Sequence, residues 1–472
     1  MRNLNIYKYI GKVLIGYSIL FLVPIIVSFI YHESFIPFLI PGLLSLVIGK
    51  LLNSLRVKKS SIYARDGFII VALSWIIISL IGALPFVINK DLNYVDALFE
   101  TVSGFTTTGA TTFNDVEVLN KSILFWRSFT HFIGGMGVLT FVMAIIPLSK
   151  KDKSMHVLKA EIPGPQVGKL TPSIKKTLFY LYGIYLLLSF IEVILLLIGK
   201  MPLFDSIVIT FGTAGTGGFS VLNTSIASYS VFSKYVIAIF MLLFGVNYNI
   251  YFLILIGNIK NALKSEELRV YLTIYVISVL FIVLNTYQMF NNLSEAFLSG
   301  IFHVSSIFTS TGYNIGDINI YPSDCRFLML FLMIVSACAG STCGGLKVGR
   351  LVLGYKIIKR ELKKLVHPNS VQNIYYEGKK VSEDIVNSTT TFLLLYVVLL
   401  IAEIFIISFS GYDVETSINA VFSTFGNVGL CFNISNYASF SWFPKIILSI
   451  GMLLGRLEIF PMLVILADLR KK

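Results

Sequence analysis

Long apolar runs recur along this chain, and the stretch 180–198 is one of them. A helical run of about 20 apolar residues matches the thickness of a bilayer core. In lipid every backbone polar group must be satisfied internally, so a spanning segment is either a helix or a strand of a closed barrel. Long apolar runs favour helices, because barrel strands alternate apolar and polar residues.

The composition agrees with a membrane location. Only 13% of the 472 residues are charged, against about a quarter in a soluble domain, and the mean hydropathy is +0.80. We therefore predict an all-α integral membrane protein with ten spanning helices, the eighth of which is interrupted by glycines. These helices cover roughly 10–31, 35–55, 66–89, 122–148, 176–199, 233–258, 268–290, 325–366, 384–410 and 443–469.

Charge predicts the orientation of these helices. The net charge is +13, and Lys and Arg collect in cytoplasmic loops of membrane proteins. The side that carries both termini holds the excess of cations, so we place both termini in the cytoplasm of a prokaryotic cell. The positive net charge of the chain then follows from its orientation in the membrane and requires no nucleic acid partner. The acidic outer side either concentrates cations near an entrance or is merely poor in Lys and Arg.

Four segments between the helices are too short to cross the membrane, and each ends in a glycine cluster. They lie between helices three and four, five and six, seven and eight, and nine and ten. A helix, a short segment and a second helix recur at each, which makes this internal repeat the organising feature of the chain. The aligned glycines are Gly109, Gly217, Gly312 and Gly429, and the residues before them are Thr108, Thr216, Thr311 and Val428.

A short helix that stops near the middle of the membrane exposes its last carbonyl groups and the negative end of its dipole. The chain must then return as irregular backbone, which survives at that depth when it is buried in protein or lines a wet cavity. Four such turns around one axis would form rings of carbonyl oxygens that replace the hydration shell of an ion. The alternative is four unrelated packing turns.

In these motifs the chain resembles the membrane subunit of the Trk/Ktr/HKT superfamily of potassium transporters, in its ten-helix TrkH/TrkG form. The resemblance covers essentially the whole chain. The motifs that carry it are Thr106-Thr107-Thr108-Gly109-Ala110, Thr216-Gly217-Gly218-Phe219, Ser310-Thr311-Gly312-Tyr313, Gly426-Asn427-Val428-Gly429-Leu430, Phe125-Trp126-Arg127, Gly134-Gly135-Met136-Gly137, Ile162-Pro163-Gly164-Pro165, Cys338-Ala339-Gly340-Ser341-Thr342-Cys343-Gly344-Gly345 and Gly455-Arg456-Leu457-Glu458.

The resemblance implies four pseudo-repeated helix–pore loop–helix units around a central pore, with two extra N-terminal transmembrane helices. We divide the chain into 1–60 for those helices and 61–150, 151–262, 263–367 and 368–472 for the repeats. A serine at the first-loop glycine goes with sodium permeation in the superfamily, so Gly109 implies potassium. The candidate potassium-binding filter comprises Thr107, Thr108, Gly109, Ala110, Gly215, Thr216, Gly217, Gly218, Ser310, Thr311, Gly312, Tyr313, Asn427, Val428, Gly429 and Leu430.

Small residues in the middle of the eighth helix predict a break below the filter, because closely spaced glycines kink or unwind a helix. We interpret this break, supported by the resemblance, as an intramembrane gate; close helix packing is the alternative. Arg456, a charge inside the last span, would raise a barrier to cations there, or else pair with a buried acid. The candidate gate comprises Ser336, Ala337, Cys338, Ala339, Gly340, Ser341, Thr342, Cys343, Gly344, Gly345 and Arg456.

The remaining charged residues receive structural interpretations. We expect Arg127, Glu192 and Glu403 to satisfy one another or loop backbones, and His131 and His303 to be satisfied histidines. The cations Lys356, Lys359, Arg360, Lys363 and Lys364 form a solvated face or a docking surface for a regulator. The resemblance implies such a partner, a cytoplasmic TrkA-type ring of nucleotide-binding subunits, and a homodimer of the membrane subunit. For the basic stretch 147–171 we predict a cytoplasmic connector.

These observations favour potassium uptake across the cytoplasmic membrane, with potassium as substrate and no cofactor in the chain. A gated channel and a symporter coupled to protons or sodium both stay open. An enzyme is disfavoured because the sequence holds no metalloprotease motif, nucleophile elbow or paired buried carboxylates. A carrier for an organic solute is disfavoured because such carriers usually have two repeats, whereas this chain has four.

Overall fold

The computed structural model describes residues 2–55, 64–137, 174–370, 372–434 and 436–469. Within these ranges the chain is helical apart from its connecting loops and one two-residue β-hairpin. The all-α membrane fold predicted from the apolar runs is confirmed. The predicted connector 147–171, the motif 162–165 and the end of the predicted helix 122–148 lie outside the described residues.

The α-helices are α1 (Arg2–Leu20), α2 (Leu22–Ile30), α3 (Ile36–Asn53), α4 (Ala64–Gly82), α5 (Leu84–Ile88), α6 (Tyr94–Phe105), α7 (Lys121–Gly135), α8 (Ile174–Ile198), α9 (Leu203–Gly215), α10 (Val231–Phe244), α11 (Tyr248–Leu255), α12 (Ile259–Leu263), α13 (Glu266–Thr286), α14 (Leu293–Phe308), α15 (Ser323–Val335), α16 (Val348–Val366), α17 (Glu383–Phe409), α18 (Val414–Phe425), α19 (Trp442–Arg456) and α20 (Phe460–Leu469). Single 3₁₀ turns occupy Tyr287–Met289, Ile318–Ile320 and Tyr437–Ser439, and strands β1 (Tyr375–Tyr376) and β2 (Lys379–Lys380) pair antiparallel.

Two spans precede the first repeat, as predicted, and they pack against its helices α4, α5 and α7. Helices α1 and α2 form one of them and α3 forms the other. They pack closely through glycines, since a Cβ on Gly11 would lie 2.8 Å from the Gly49 carbonyl oxygen. Small residues at such a contact let the two backbones approach each other within the membrane.

Each repeat then contains a long helix, a short apolar helix and a second long helix. The short helices α6, α9, α14 and α18 coincide with the four segments that are too short to span. Six helices, or seven with one bent pair, are long and apolar enough to cross a membrane among the described residues. The predicted bounds of the first long helix are accurate in the second and fourth repeats. The predicted helix 176–199 is observed as Ile174–Ile198, and the predicted helix 384–410 is observed as Glu383–Phe409.

The second long helix is interrupted in every repeat that can be followed across its middle, whereas we predicted an interruption only in the third. Helices α10 and α11 meet at 91°, so the single helix predicted over 233–258 is wrong. Asn247 explains the bend, because its side chain accepts the backbone N–H of Asn249 and starts a new helix. The single helix predicted over 443–469 is also wrong, since Glu458 and Ile459 have positive φ between α19 and α20.

Three of the four short helices, α6, α14 and α18, are capped by a side chain where they begin. Asn93, Asn292 and Asp413 each accept a backbone N–H three residues ahead, which satisfies a donor that the helix cannot satisfy itself. Acidic residues in the first turn complement the positive end of the dipole. The opposite ends of these helices lead directly into the loops that form the candidate site.

Candidate functional site

The four loops that follow the short helices share one backbone conformation. One glycine in each has a positive φ, between +74° and +85°. The residue two places earlier is also left-handed, although it is not glycine. The N–H between them donates to a carbonyl of the short helix at 2.8 Å in all four loops. The glycines are Gly109, Gly218, Gly312 and Gly429, and the left-handed residues before them are Thr107, Thr216, Ser310 and Asn427.

This shared geometry shifts the predicted alignment of the second repeat by one residue. We aligned that repeat on Gly217, but Gly218 takes the left-handed position. Gly215 accordingly ends helix α9 and leaves the predicted set, and Phe219 enters that set at the other end of the loop. A side chain on Gly217 would collide with the ring of His131, so this glycine is required for close packing. We therefore define loop 1 as 107–110, loop 2 as 216–219, loop 3 as 310–313 and loop 4 as 427–430.

The four loops meet in a closed ring. An added Cβ on the left-handed glycine of each loop would collide with a backbone carbonyl oxygen of the next loop. The contacts follow chain order and the last one returns to the first loop. They join Gly109 to Gly217, Gly218 to Thr311, Gly312 to Val428 and Gly429 to Thr108.

The carbonyl oxygens in these contacts belong to the residue before the left-handed glycine. Each loop contributes one, and no hydrogen bond between described residues ends on any of them. No group of three or more His, Cys, Asp or Glu side chains that could hold a metal occurs in the described part of the chain. The site therefore offers main-chain oxygens, which suit a monovalent cation.

Side chains tie neighbouring loops together. The Tyr313 hydroxyl of loop 3 donates to the carbonyl oxygens of Ile209 and Phe219 at 3.0 and 3.2 Å. The Asn427 amide of loop 4 donates to the Thr108 hydroxyl of loop 1 at 3.0 Å. These bonds fix the position of each loop relative to the next.

A buried ion pair supports loop 1. Arg127 on α7 donates to Glu100 on α6 at 2.8 Å, and their side chains are 2% and 0% exposed. Glu100 also accepts the Thr111 hydroxyl and the Thr112 N–H at 3.0 and 2.8 Å. We expected Arg127, Glu192 and Glu403 to satisfy one another or loop backbones. Arg127 does donate to a loop backbone, the Ser220 carbonyl at 3.3 Å, but its acidic partner is Glu100, which the sequence did not reveal. The carboxyl oxygens of Glu192 and one of Glu403 are buried without a hydrogen-bond partner among the described residues.

His131 is satisfied at both ring nitrogens, as predicted, whereas His303 has a partner at Nδ1 and none among the described residues at Nε2. The Nδ1 of His131 lies 2.7 Å from the Gly104 carbonyl oxygen, so this nitrogen carries the proton. Its Nε2 then accepts the Phe219 N–H of loop 2 at 3.3 Å. The Nδ1 of His303 lies 2.8 Å from the Tyr321 hydroxyl. His131 thereby links the second helix of repeat one to loop 2.

The segment 336–345 runs as irregular backbone between α15 and α16 and contacts loops 3 and 4. Nine of its ten residues are buried. Its backbone N–H groups bind three other elements: Cys338 donates to the Gly245 carbonyl, Ala339 to the Glu267 carboxylate and Gly344 to the Ser310 hydroxyl, at 3.1, 2.6 and 3.1 Å. The predicted break in the eighth helix is therefore confirmed, and we call it the crossing loop.

Arg456 joins the crossing loop to the first repeat. Its guanidinium donates to the Thr342 carbonyl, and to the carbonyls of Gly134 and Gly135 at 2.6 and 2.8 Å. The nearby Glu458 has a different partner. It pairs with Arg350, at the start of α16, through two bonds of 2.8 and 2.6 Å.

The sequence and the structure of this chain both match known cation transport proteins. The family TrkH, described as a cation transport protein, matches residues 36–471. The Trk system potassium uptake protein TrkH of Salmonella typhimurium is 34% identical over 98% of this chain and 97% of its own. The corresponding TrkG of Escherichia coli is 33% identical over 95% and 94%. The crystal structure of the potassium transporter TrkH from Vibrio parahaemolyticus superposes with a TM-score of 0.89, at 30% identity, over 99% of both chains.

Proposed function

We propose the function of this chain from its family membership. The chain belongs to the TrkH family of cation transport proteins. It is a multi-pass membrane transport protein, not an enzyme, and potassium is its substrate, as in the Trk uptake systems that it resembles over nearly its full length. The finer proposal is that potassium crosses the cytoplasmic membrane through loops 1 to 4, which act as the selectivity filter.

One observation carries this proposal: four loops close a ring and each places one unbonded carbonyl oxygen at the contact with its neighbour. Carbonyl oxygens arranged around an axis replace the water of a hydrated cation. The negative ends of four short helices point at the same region and favour positive charge there. The filter therefore needs no ionised side chain to attract a cation.

Rubidium flux tests the proposal. We expect the protein, reconstituted in liposomes, to take up rubidium, and excess potassium but not sodium to block this uptake. Protein-free liposomes are the control. Equal block by sodium would overturn the assignment of the filter, and no rubidium uptake under any gradient would overturn the function itself.

The crossing loop and Arg456 are proposed as the gate. The loop contacts Ser310 of loop 3 and Asn427 of loop 4, and Arg456 ties it to Gly134 and Gly135. We expect Arg456→Gln to raise basal rubidium uptake by about 10-fold, because hydrogen bonds made by a charged donor stabilise by about 1.5–3 kcal/mol. Initial uptake rates in liposomes measure this.

A matched control for this substitution is Arg269→Gln. Arg269 also donates to backbone carbonyls, those of Ser265 and Lys264, but it is exposed and away from the crossing loop. Its replacement is expected to leave uptake unaltered. If Arg456→Gln had the same uptake rate as the parent protein, the gate role of Arg456 would be lost.

The proposed partners are a cytoplasmic TrkA-type regulatory ring and a second copy of this chain, with both termini in the cytoplasm. The basic face of α16 supports a docking surface, because Lys359 and Lys363 are exposed. Two of its cations are already engaged, since Lys356 pairs with Glu266 and Arg360 with Glu383. A solvated face would account for the same exposed lysines. Binding of a purified regulatory ring to the Lys359→Glu/Lys363→Glu protein separates the two interpretations, because weaker binding is expected only if this face is a docking surface.

A further inference from the structure

Gly344 of the crossing loop lies between two side-chain oxygens of adjacent loops. Its N–H donates to the Ser310 hydroxyl of loop 3 at 3.1 Å. On its other side it packs against Asn427 of loop 4, since an added Cβ would collide with the Asn427 Oδ1. Withdrawal of the crossing loop would therefore expose both oxygens to one shared space.

The orientation of the Asn427 amide follows from its partners. Its Nδ2 donates to the Met452 carbonyl oxygen at 2.9 Å and to the Thr108 hydroxyl at 3.0 Å. A carbonyl oxygen can only accept, so the nitrogen must face Met452. The Oδ1 then faces Gly344, where it is buried and has no hydrogen-bond donor among the described residues. A buried acceptor without a donor is costly, so this oxygen calls for a ligand.

The equivalent residues of the other two loops also carry side-chain oxygens. Thr107 and Thr216 share the left-handed backbone of Ser310 and Asn427, with φ between +51° and +58°. The Thr107 hydroxyl is likewise buried without a partner in the described part of the chain. The Thr216 hydroxyl donates to the Gly215 carbonyl at 2.6 Å and retains its own lone pairs. Each loop thus carries one neutral, oxygen-bearing side chain, on the residue directly before the one whose carbonyl oxygen joins the ring.

We propose that these four side chains form an inner site for a monovalent cation, and that Gly344 occupies the site when passage is closed. The proposal rests on the proposed function and adds its regulation. Neutral hydroxyl and amide oxygens suit a weakly held, partly dehydrated cation, which must leave as readily as it enters. The Gly344 N–H presents the positive end of a peptide dipole to Ser310, so gate and cation exclude each other.

This competition makes the transported ion an activator of its own passage. A ligand that binds only one of two states shifts the population toward that state. Potassium binds the inner site only after the crossing loop has withdrawn, so occupancy favours the open form. By the same linkage, any change that weakens the Gly344 contact raises the apparent affinity for the cation, provided that the four oxygens are retained.

The test uses the full-length protein in liposomes, with rubidium as probe. Gly344→Ala displaces the crossing loop from Asn427 and keeps all four oxygens. The half-saturating rubidium concentration should fall about fivefold, the factor for one neutral hydrogen bond, while the saturated rate stays unaltered because saturating cation already displaces the loop in the parent protein. Ser310→Ala weakens the same contact but also removes one ligand, so its half-saturating concentration should lie above that of Gly344→Ala.

Two further variants sharpen the result. Ser310→Thr restores a hydroxyl at a position where Thr107 and Thr216 already show that threonine adopts the same φ, so it should reverse most of the alanine effect. Thr273→Ala is the matched control, because its hydroxyl bonds only to its own helix at Arg269 and is exposed. It should leave the rate and the half-saturating concentration unaltered.

The outcomes separate the parts of the proposal. Equal half-saturating concentrations in Ser310→Ala and Gly344→Ala would overturn the inner site. An unchanged half-saturating concentration in Gly344→Ala would overturn the competition with the gate. If the parent protein showed no preference for potassium over sodium, the proposed function itself would be contradicted. The same flux measurement reports this preference independently of the two variants.

Discussion

Gly109→Ala is expected to reduce potassium-selective uptake by about 100-fold or more, because overpacking and a left-handed alanine together cost about 2–5 kcal/mol. The added Cβ would collide with the Gly217 carbonyl oxygen of loop 2. The backbone φ of +79° is also unfavourable for any residue with a side chain. The ring must then open or deform, and its oxygens lose the spacing that a dehydrated potassium ion requires. Rubidium uptake with potassium and sodium as competitors measures both the rate and the preference.

A second glycine separates collision from backbone strain. Gly257 has the same φ of +79°, but an added Cβ there would meet nothing within 4 Å. Gly257→Ala therefore carries the strain without the collision, and uptake is expected to stay within about twofold of the parent value. Gly218→Ala should behave like Gly109→Ala, since it would collide with Thr311. Retained selectivity in both ring variants would rule out loops 1 to 4 as the filter.

The spanning helices could be predicted because their determinants are local. A long apolar stretch in lipid has few alternatives to a helix, and the boundaries of Ile174–Ile198 follow from the sequence to within two residues. The presence of four pore loops also follows, since a short segment with a glycine cluster recurs four times. Their meeting at one ring could be expected from the repeat, but the residues in contact could not.

The register of loop 2 depends on a residue far away in sequence. Gly217 and Gly218 are adjacent, and nothing local decides which of them takes the left-handed position. The His131 ring fills the space beside Gly217 and the Thr311 carbonyl lies beside Gly218. These neighbours come from the first and third repeats, so a comparison of short segments cannot reveal them.

The interruptions of the second helices were missed for a related reason. Glu458 adopts a positive φ that its own sequence disfavours. It is held there by Arg350, which is 108 residues away. Glu100 was likewise not singled out, because its role depends on Arg127 in the next helix. Long-range partners of this kind leave no periodic signal.

Glu100→Gln is expected to lower the stability of the protein by about 3–5 kcal/mol, the cost of removing one partner from a buried ion pair. Arg127 would remain charged and 2% exposed, without a carboxylate. The glutamine keeps the shape of the side chain but replaces one acceptor oxygen by an NH₂ donor. Because Glu100 also holds Thr111 and Thr112, the loss should extend to loop 1. Thermal unfolding in detergent measures the stability, and the sodium block of rubidium uptake measures the filter.

An exposed pair provides the comparison. Lys364 donates to Glu361 at 3.3 Å and both side chains are largely exposed, so Lys364→Gln is expected to leave the unfolding temperature unchanged, because water screens such pairs. The combined change Glu100→Gln/Arg127→Met should cost less than the sum of the two single changes, since each single change leaves a buried group unpaired and the double change does not. Strict additivity would mean that the two side chains act independently, and loop 1 would then owe its position to the Thr111 and Thr112 contacts alone.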